Sequence, residues 1–219
     1  MRLANVLLAV SMIACLLLPL GVSAQLTTMH FATDAELLEY LSDTMFVSEG
    51  RIGDRGGAAT FELDLGADTG APATQAQYDW ISAQLEPFTL SYDNMTQLVT
   101  FSLGGETLYY TTPYFDFEVI FVRTRAVNID TWVDVYDMTL DGLPVMDSSN
   151  AAGSGSGLDI LLIYGANLND GFTLNGTAVL TWIGTPPTQS RLAFQIKVAK
   201  LGKTSTEEKS WGAIKSLYR

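Results

Sequence analysis

Hydrophobic side chains in residues 88–111, FTLSYDNMTQLVTFSLGGETLYYT, recur at every second position, and this period of two constrains the chain more than any other feature. Phe88, Leu90 and Tyr92 alternate with polar neighbours, as do Val99, Phe101 and Leu103. Successive side chains of a strand point to opposite faces, so the pattern turns one face of a sheet inward and leaves Thr100 and Ser102 in solvent. The stretch reads as three antiparallel strands joined at Asp93-Asn94 and at Gly104-Gly105. The glycine pair supplies the positive φ that a two-residue hairpin turn demands.

The same alternation returns along the chain. Phe61, Leu63 and Leu65 oppose Glu62 and Asp64, and a Gly/Ala/Thr/Pro loop follows over 66–74. In YFDFEVIFVRTRA, Phe115, Phe117, Val119 and Phe121 are assigned one face, with Ile120 and Val122 on the other, the mark of a central or covered strand. Val133 and Val135 continue in 131–137. Residues 148–157, SSNAAGSGSG, read as a long loop inside one domain, since 158–164 resumes a strand. The last strands are 172–174, 177–182 and 192–198. Thr33-Asp34-Ala35-Glu36 has the spacing of a capping box, and Leu37, Leu38 and Leu41 predict a helix over 34–42. About ten short strands with so little helix predict an all-β fold: an antiparallel β-sandwich or jelly roll with one short N-terminal helix and a short amphipathic C-terminal tail.

Residues 1–24 read as a signal peptide: Arg2, an apolar run over 6–18, and Val22-Ser23-Ala24 before Gln25. In the alternative, Met12-Ile13-Ala14-Cys15 is a lipoprotein processing site with Cys15 lipidated. Cys15 is the only cysteine, so cleavage after Ala24 removes thiol chemistry and Cys-ligated zinc. After signal removal no stretch has the ~20 apolar residues of a spanning helix. Beyond the signal the expected divisions are 25–50, an N-terminal segment with the helix; 51–200, the sandwich domain; and 201–219, a basic tail. The formal charge of −12 is uneven: 25–200 holds 22 Asp and Glu against 7 Lys and Arg, a balance of −15, whereas 201–219 carries +2. So acidic a body argues against nucleic acid, whose phosphates are met by Lys and Arg.

Several stretches together carry a resemblance: ATFELDLG at 59–66, VTFSLGGETLYY at 99–110, VRTRA at 122–126, SGLDILLI at 156–163, DGFTLNGTAVLTW at 170–182 and SRLAFQIKV at 190–198. In order and spacing they resemble the choice-of-anchor W domain, a family of secreted bacterial surface domains, across roughly 51–198, most of the mature chain. The resemblance implies bacterial export and a domain at, or released from, the cell surface. It implies no catalytic residue. Members commonly end in a Pro-Glu-Pro motif, an apolar helix and a basic cluster. This chain departs from that pattern with LGKTSTEEKSWGAIKSLYR after Lys200. There Trp211, Ile214, Leu217 and Tyr218 form an apolar stripe beside Lys209, Lys215 and Arg219. This is read as a tag that meets sorting or docking machinery, or else as a frayed tail or a helix packed on the sandwich.

Candidate chemistry is sparse. His30 is the only histidine and is read as a surface or linker residue, because a metal site or a Ser-His-Asp triad would rest on that single ring. Acidic residues gather near turns at Asp137, Asp141, Asp147 and Asp159. Asn167, Asn169 and Asp170 place oxygens at a glycine-ended turn, as a structural Ca²⁺ loop would, while Asx turns explain the same residues without metal. No other cofactor is expected. Glu62, Glu106 and Glu118 alternate with apolar neighbours and read as solvent-facing, against the alternative of a glycoside hydrolase with two facing carboxylates. Arg123 and Arg125 share a strand face and either grip an acidic ligand or neutralise the acidic surface. Trp132, with Tyr109, Tyr110 and Tyr114, either stacks on sugars or packs between strands. The chain therefore reads as an exported, non-enzymatic cell-surface or extracellular domain with a structural, adhesive or matrix role. Its expected partners are surface polysaccharide or other surface proteins. The alternative is a carbohydrate-binding module, with or without Ca²⁺.

Overall fold

The computed structural model describes residues 25–53, 61–155 and 157–202. It opens with β1 (Thr27–Phe31), the single-turn helix α1 (Asp34–Leu38) and β2 (Leu41–Arg51). Next come β3 (Leu63–Ala67) and β4 (Thr74–Ala76), then the meander β5 (Glu86–Asp93), β6 (Leu98–Leu103) and β7 (Glu106–Thr111). They are followed by β8 (Val119–Ala126), β9 (Thr131–Leu140), β10 (Leu143–Pro144) and β11 (Ser149–Ala152). The last strands are β12 (Leu158–Tyr164), β13 (Phe172–Trp182) and β14 (Leu192–Leu201).

Two seven-stranded antiparallel sheets pack as a β-sandwich, as the alternation predicts. The first has the order β1-β12-β8-β14-β2-β3-β4; the second runs β10-β9-β13-β5-β6-β7, with β11 also paired to β9. Their inner faces supply one core, including Phe46, Leu90, Phe101, Val122, Leu174 and Phe194, none more than 1% exposed. Burying each such side chain stabilises by about 1.5–3 kcal/mol. Inside it the Phe117 ring stands edge-on to Tyr92 at 4.9 Å and to Phe46 at 5.4 Å, the arrangement that ring quadrupoles favour.

A second, smaller cluster lies on the outer face of the first sheet, where Met29, Phe31, Val119, Phe121 and Leu162 meet Leu37 of α1. The helix starts as predicted. Thr33 is extended and its hydroxyl accepts from Glu36 N, while Glu36 Oε2 accepts from Ala32 N at 2.9 Å. It stops at Leu38 and not at residue 42, because Leu41 is recruited into β2, opposite Leu201 of β14. Sheet pairing overrides helix spacing here.

Several boundaries differ from the sequence expectation. Residues 25–50 do not stand apart from the sandwich: they contribute β1 and most of β2, which lies between β14 and β3. The SSNAAGSGSG stretch contains β11, whose small residues pair with 132–135 of β9. The predicted strands 172–174 and 177–182 are one strand, β13, with a register shift around Gly176. A Cβ there would meet Phe88 Cζ at 2.7 Å and Met138 Cγ at 2.8 Å, so the glycine lets the bulged strand approach the core. The first meander turn spans 94–97 and not Asp93-Asn94 alone: Asp93 Oδ1 accepts from Met95 N and Thr96 N. The Gly104-Gly105 turn is as expected, with φ of 58° and 92°. Phe115, Phe117, Val119 and Phe121 do not share a face. Asp116 has φ 65°; Phe115 is exposed and Phe117 enters the main core, while Val119 and Phe121 join the outer cluster.

Candidate functional site

One concentration of partnered charge lies at the β1 edge of the first sheet. On β1, Met29 and Phe31 point into the outer cluster, which turns His30 to the other side, toward Asp159 of β12. His30 Nδ1 lies 2.8 Å from Asp159 Oδ1, and Nε2 lies 3.1 Å from Asp147 Oδ2. Asp159 Oδ2 accepts from Asn150 N at 3.1 Å, and Asp147 Oδ1 from Ser148 N at 3.0 Å. Deeper in, the Thr124 and Ser149 hydroxyls are 3.0 Å apart and buried. The ring thus ties the edge strand of one sheet to the segment that enters β11 of the other.

A neutral imidazole donates from one nitrogen only, so carboxylates on both nitrogens are satisfied by the imidazolium. Burial pulls the His30 pKa down. The hydrogen bond and charge of Asp159, joined by Asp147, outweigh it and hold the pKa above its ordinary value. Neither nitrogen is free to take a proton from a substrate. The two carboxylates also sit on opposite edges of the ring, so the three groups do not converge on one ion. Beside them His30, Phe31, Ala32, Asn150, Leu158 and Asp159 line an open depression of about 490 Å³.

Arg123 and Arg125 project from the outer face of β8, as their spacing predicts, yet the structure separates their roles. Arg123 grips Asp34 of α1 with both arms of its fork, Nε to Oδ1 at 2.7 Å and Nη2 to Oδ2 at 2.8 Å. This hydrogen-bonded pairing holds the Asp34 pKa below its usual value. Arg125 is exposed and, among the described residues, forms no ion pair. It borders a depression of about 270 Å³ with Arg123, Gly153, Gly155, Gly157 and Leu158. On the same face Lys197 Nζ is 2.6 Å from Asp68 Oδ1.

Farther across that face Arg51 lies between two acids, with Nη1 3.1 Å from Glu49 Oε2 and Nη2 2.5 Å from Asp64 Oδ2. Gln75 Nε2 donates to Asp64 Oδ1 at 2.7 Å. Burial pushes the Glu49 and Asp64 carboxyls up despite the guanidinium between them. Glu62, read from sequence as solvent-facing, is fully buried, and its Oε2 accepts from Gly53 N at 2.7 Å. Alternation failed there because both faces of this segment are covered. Glu106 and Glu118 are exposed as expected.

Trp132 is half-buried on the outer face of the second sheet, alternating with Val133 and Val135 of the core. It is therefore not brought together with Arg123 and Arg125, which lie on the outer face of the other sheet. Tyr109 is 55% exposed on β7, whereas Tyr110 and Tyr114 pack against the core. The oxygens of the 167–170 turn are already engaged. Asn167 Oδ1 accepts from Asn169 N, Asn167 Nδ2 donates to Asp170 Oδ2 at 2.6 Å, and Asn169 Oδ1 accepts from Phe117 N at 2.7 Å. Among the described residues no group of three or more His, Cys, Asp and Glu side chains is placed to hold a metal ion. Trp211, Ile214, Lys215, Tyr218 and Arg219 lie outside the described residues, as do Cys15 and the whole 1–24 segment. The cluster that sequence reading missed is the His30 clamp. Asp147 and Asp159 stood out as turn acids, but nothing local connects them to a ring 129 residues before Asp159. No protein-family model matches the chain, and no curated protein matches it.

Proposed function

We propose that this chain is an exported bacterial domain with a non-catalytic structural, adhesive or matrix role at the cell surface. One observation carries this reading: the only histidine is held by carboxylates on both ring nitrogens and works as a tie between the sheets. Arg123, Lys197 and Arg51 are likewise used in ion pairs between neighbouring elements. The polar chemistry thus braces a sandwich. The leader-like pattern of 1–24 and the resemblance to choice-of-anchor W domains support the export part of the reading. Its partners are surface polysaccharide or other surface proteins.

Mass spectrometry of the chain recovered from culture medium or envelope tests export. A mature N-terminus at Gln25 is expected; an intact leader in the cytoplasm overturns the reading, and a lipid on Cys15 changes a released domain into an anchored one. The second reading, a carbohydrate-binding module, is favoured by the exposed Tyr109 and by Trp132 and Tyr136 on the outer face of the second sheet. A glycan array run with and without Ca²⁺ discriminates: silence in both conditions supports the structural role, and binding lost on Tyr109→Ala or Trp132→Ala supports the module.

A further inference from the structure

Among the described residues, Arg51, Arg123, Lys197 and Lys200 each hold a carboxylate, whereas Arg125 and Arg191 form no ion pair. In a body with a charge balance of −15 an unpaired arginine is the exception, and these two are neighbours. Arg125 stands opposite Ala193 of β14, and Val127 N, two residues on, donates to Arg191 O at 2.9 Å. Leu192 enters the main core, so alternation turns Arg191 to the outer face of the first sheet, where Arg125 also lies. Diagonal neighbours of this kind are about 7–8 Å apart, within reach of two long side chains. Both arginines are exposed, and the contact that Arg191 makes is neutral, Nη2 donating to Gln189 Oε1 at 3.3 Å. Asp159, next to the Leu158 that pairs with Arg125, points to the other side of the sheet and is held by His30.

Arg125 also borders the depression of about 270 Å³ that Gly153, Gly155 and Gly157 line. The fold accounts for two of these glycines. A Cβ on Gly153 would overlap Asn128 O, and Gly157 has φ 68° with Ala126 O 2.9 Å from its Cβ position. Gly155 has no such requirement: its φ is not positive, and the nearest atom to its Cβ position is Ala152 O at 3.6 Å. A side chain at 155 would instead crowd the depression, so a glycine there leaves the backbone open to a ligand held by the arginines. Arginine forks a carboxylate with two parallel hydrogen bonds, and backbone N–H and C=O groups meet hydroxyls. We propose that Arg125, Arg191 and Gly155 form a binding site for a uronate-bearing polysaccharide, with a carboxylate on the arginine pair and the sugar ring over Gly155. At physiological salt the Debye length is about 8 Å, so repulsion from distant acids is screened and the local pair decides. A sulfated polymer sets a denser charge against the same acidic body and fits less well.

The site rests on the reading that surface polysaccharide is a partner, and it lies on the sheet opposite to Tyr109 and Trp132. The mature chain (25–219) is titrated calorimetrically with oligogalacturonate, with its methyl ester and with dextran sulfate at about 0.15 M NaCl. Binding is expected for oligogalacturonate and not for the ester, with dextran sulfate the weaker ligand. Arg125→Gln and Arg191→Gln should each weaken it about 10-fold or more, as loss of a hydrogen bond to a charged group implies. Gly155→Leu, which changes no charge, should abolish binding while the Tm stays at or above the wild-type value. No binding of oligogalacturonate, equal binding of the ester, a preference for dextran sulfate, or binding that survives any of the three substitutions each overturn the proposal. Binding lost on Tyr109→Ala and kept by Arg125→Gln overturns this site and keeps polysaccharide as the partner, so the two readings fail separately. The mass of the N-terminus reads export independently of both.

Discussion

His30 Nδ1 sits 2.8 Å from Oδ1 of Asp159, and this contact fastens the edge strand β1 to its neighbour β12 from the core side of the sheet. The His30 pKa is raised in the folded chain, so the protonated ring stabilises the fold fully below its unfolded value of about 6.5. That contribution is lost as pH rises through the higher folded value. With the ring 39% exposed, solvent screening limits it to about 1 kcal/mol. Urea denaturation of wild type and His30→Gln at pH 5.5 and pH 8.5 is expected to show a gap of that size at the lower pH and a much smaller one at the higher. A gap that widens with pH would mean that the neutral ring is the working form.

Asp34 and Arg123 give the opposite sign. The bidentate guanidinium holds the Asp34 carboxyl below its ordinary 3.8, so its contribution is present above that pH and lost as pH falls through the folded value. Asp34 is about half exposed, which keeps the expected cost of Asp34→Asn near ~0.5–1 kcal/mol. Thermal melts at pH 7 should separate Asp34→Asn from wild type, and melts near pH 2.5 should bring them together. Equal separation at both values would assign the loss to the helix start and not to the ion pair.

Two glycines in one turn are expected to behave differently. A Cβ on Gly153 would overlap the backbone oxygen of Asn128, which cannot yield as a side chain would, whereas on Gly155 its nearest neighbour is Ala152 O at 3.6 Å. Neither needs positive φ. Gly153→Ala therefore costs about 3 kcal/mol, at the upper end for overpacking, while Gly155→Ala is neutral or adds about 0.5 kcal/mol through the unfolded state. Calorimetric Tm values for the two variants check this, and similar values for both would show that the 128 and 153 backbones separate easily.

Much of this fold is legible where a strand has one wet face. Val99, Phe101 and Leu103 alternate because β6 is covered on one side only, and the Gly104-Gly105 turn follows from backbone sterics. Legibility fails where both faces are covered: Phe61, Leu63 and Leu65 alternate with Glu62 and Asp64, yet Glu62 and Asp64 are buried as well, so the period there does not mark a wet face. It also fails for β11, whose Ser149–Ala152 side chains are too small to carry a hydrophobic signal, although each pairs with β9. The site was less legible than the fold. Arg123 and Arg125 share a face by simple alternation, but the partner that occupies Arg123 comes from α1, 89 residues away. The His30 clamp depends on β1 pairing with β12, and long-range pairing leaves no local mark on either strand.

The 167–170 turn offers a last test, because its oxygens serve either the backbone or a cation. Asn169 Oδ1 accepts the part-buried Phe117 N–H at 2.7 Å, and Asn94 Nδ2 donates to Asn169 O at 3.3 Å, so this one residue ties the approach to β8 and the first meander turn to the loop before β13. Removing the acceptor leaves the Phe117 N–H unsatisfied next to a ring that anchors the main core, and a buried polar group without a partner costs about 1–3 kcal/mol. Asn169→Ala is therefore expected to lower stability by that amount, which for a domain of this size is a Tm drop of roughly 2–10 °C. If the oxygens work for the backbone, the drop is the same in millimolar Ca²⁺ and in chelator, and wild type shows no Ca²⁺-dependent shift. A wild-type Tm that rises with Ca²⁺, with the rise abolished by Asn169→Ala, would instead make Asn167, Asn169 and Asp170 cation ligands.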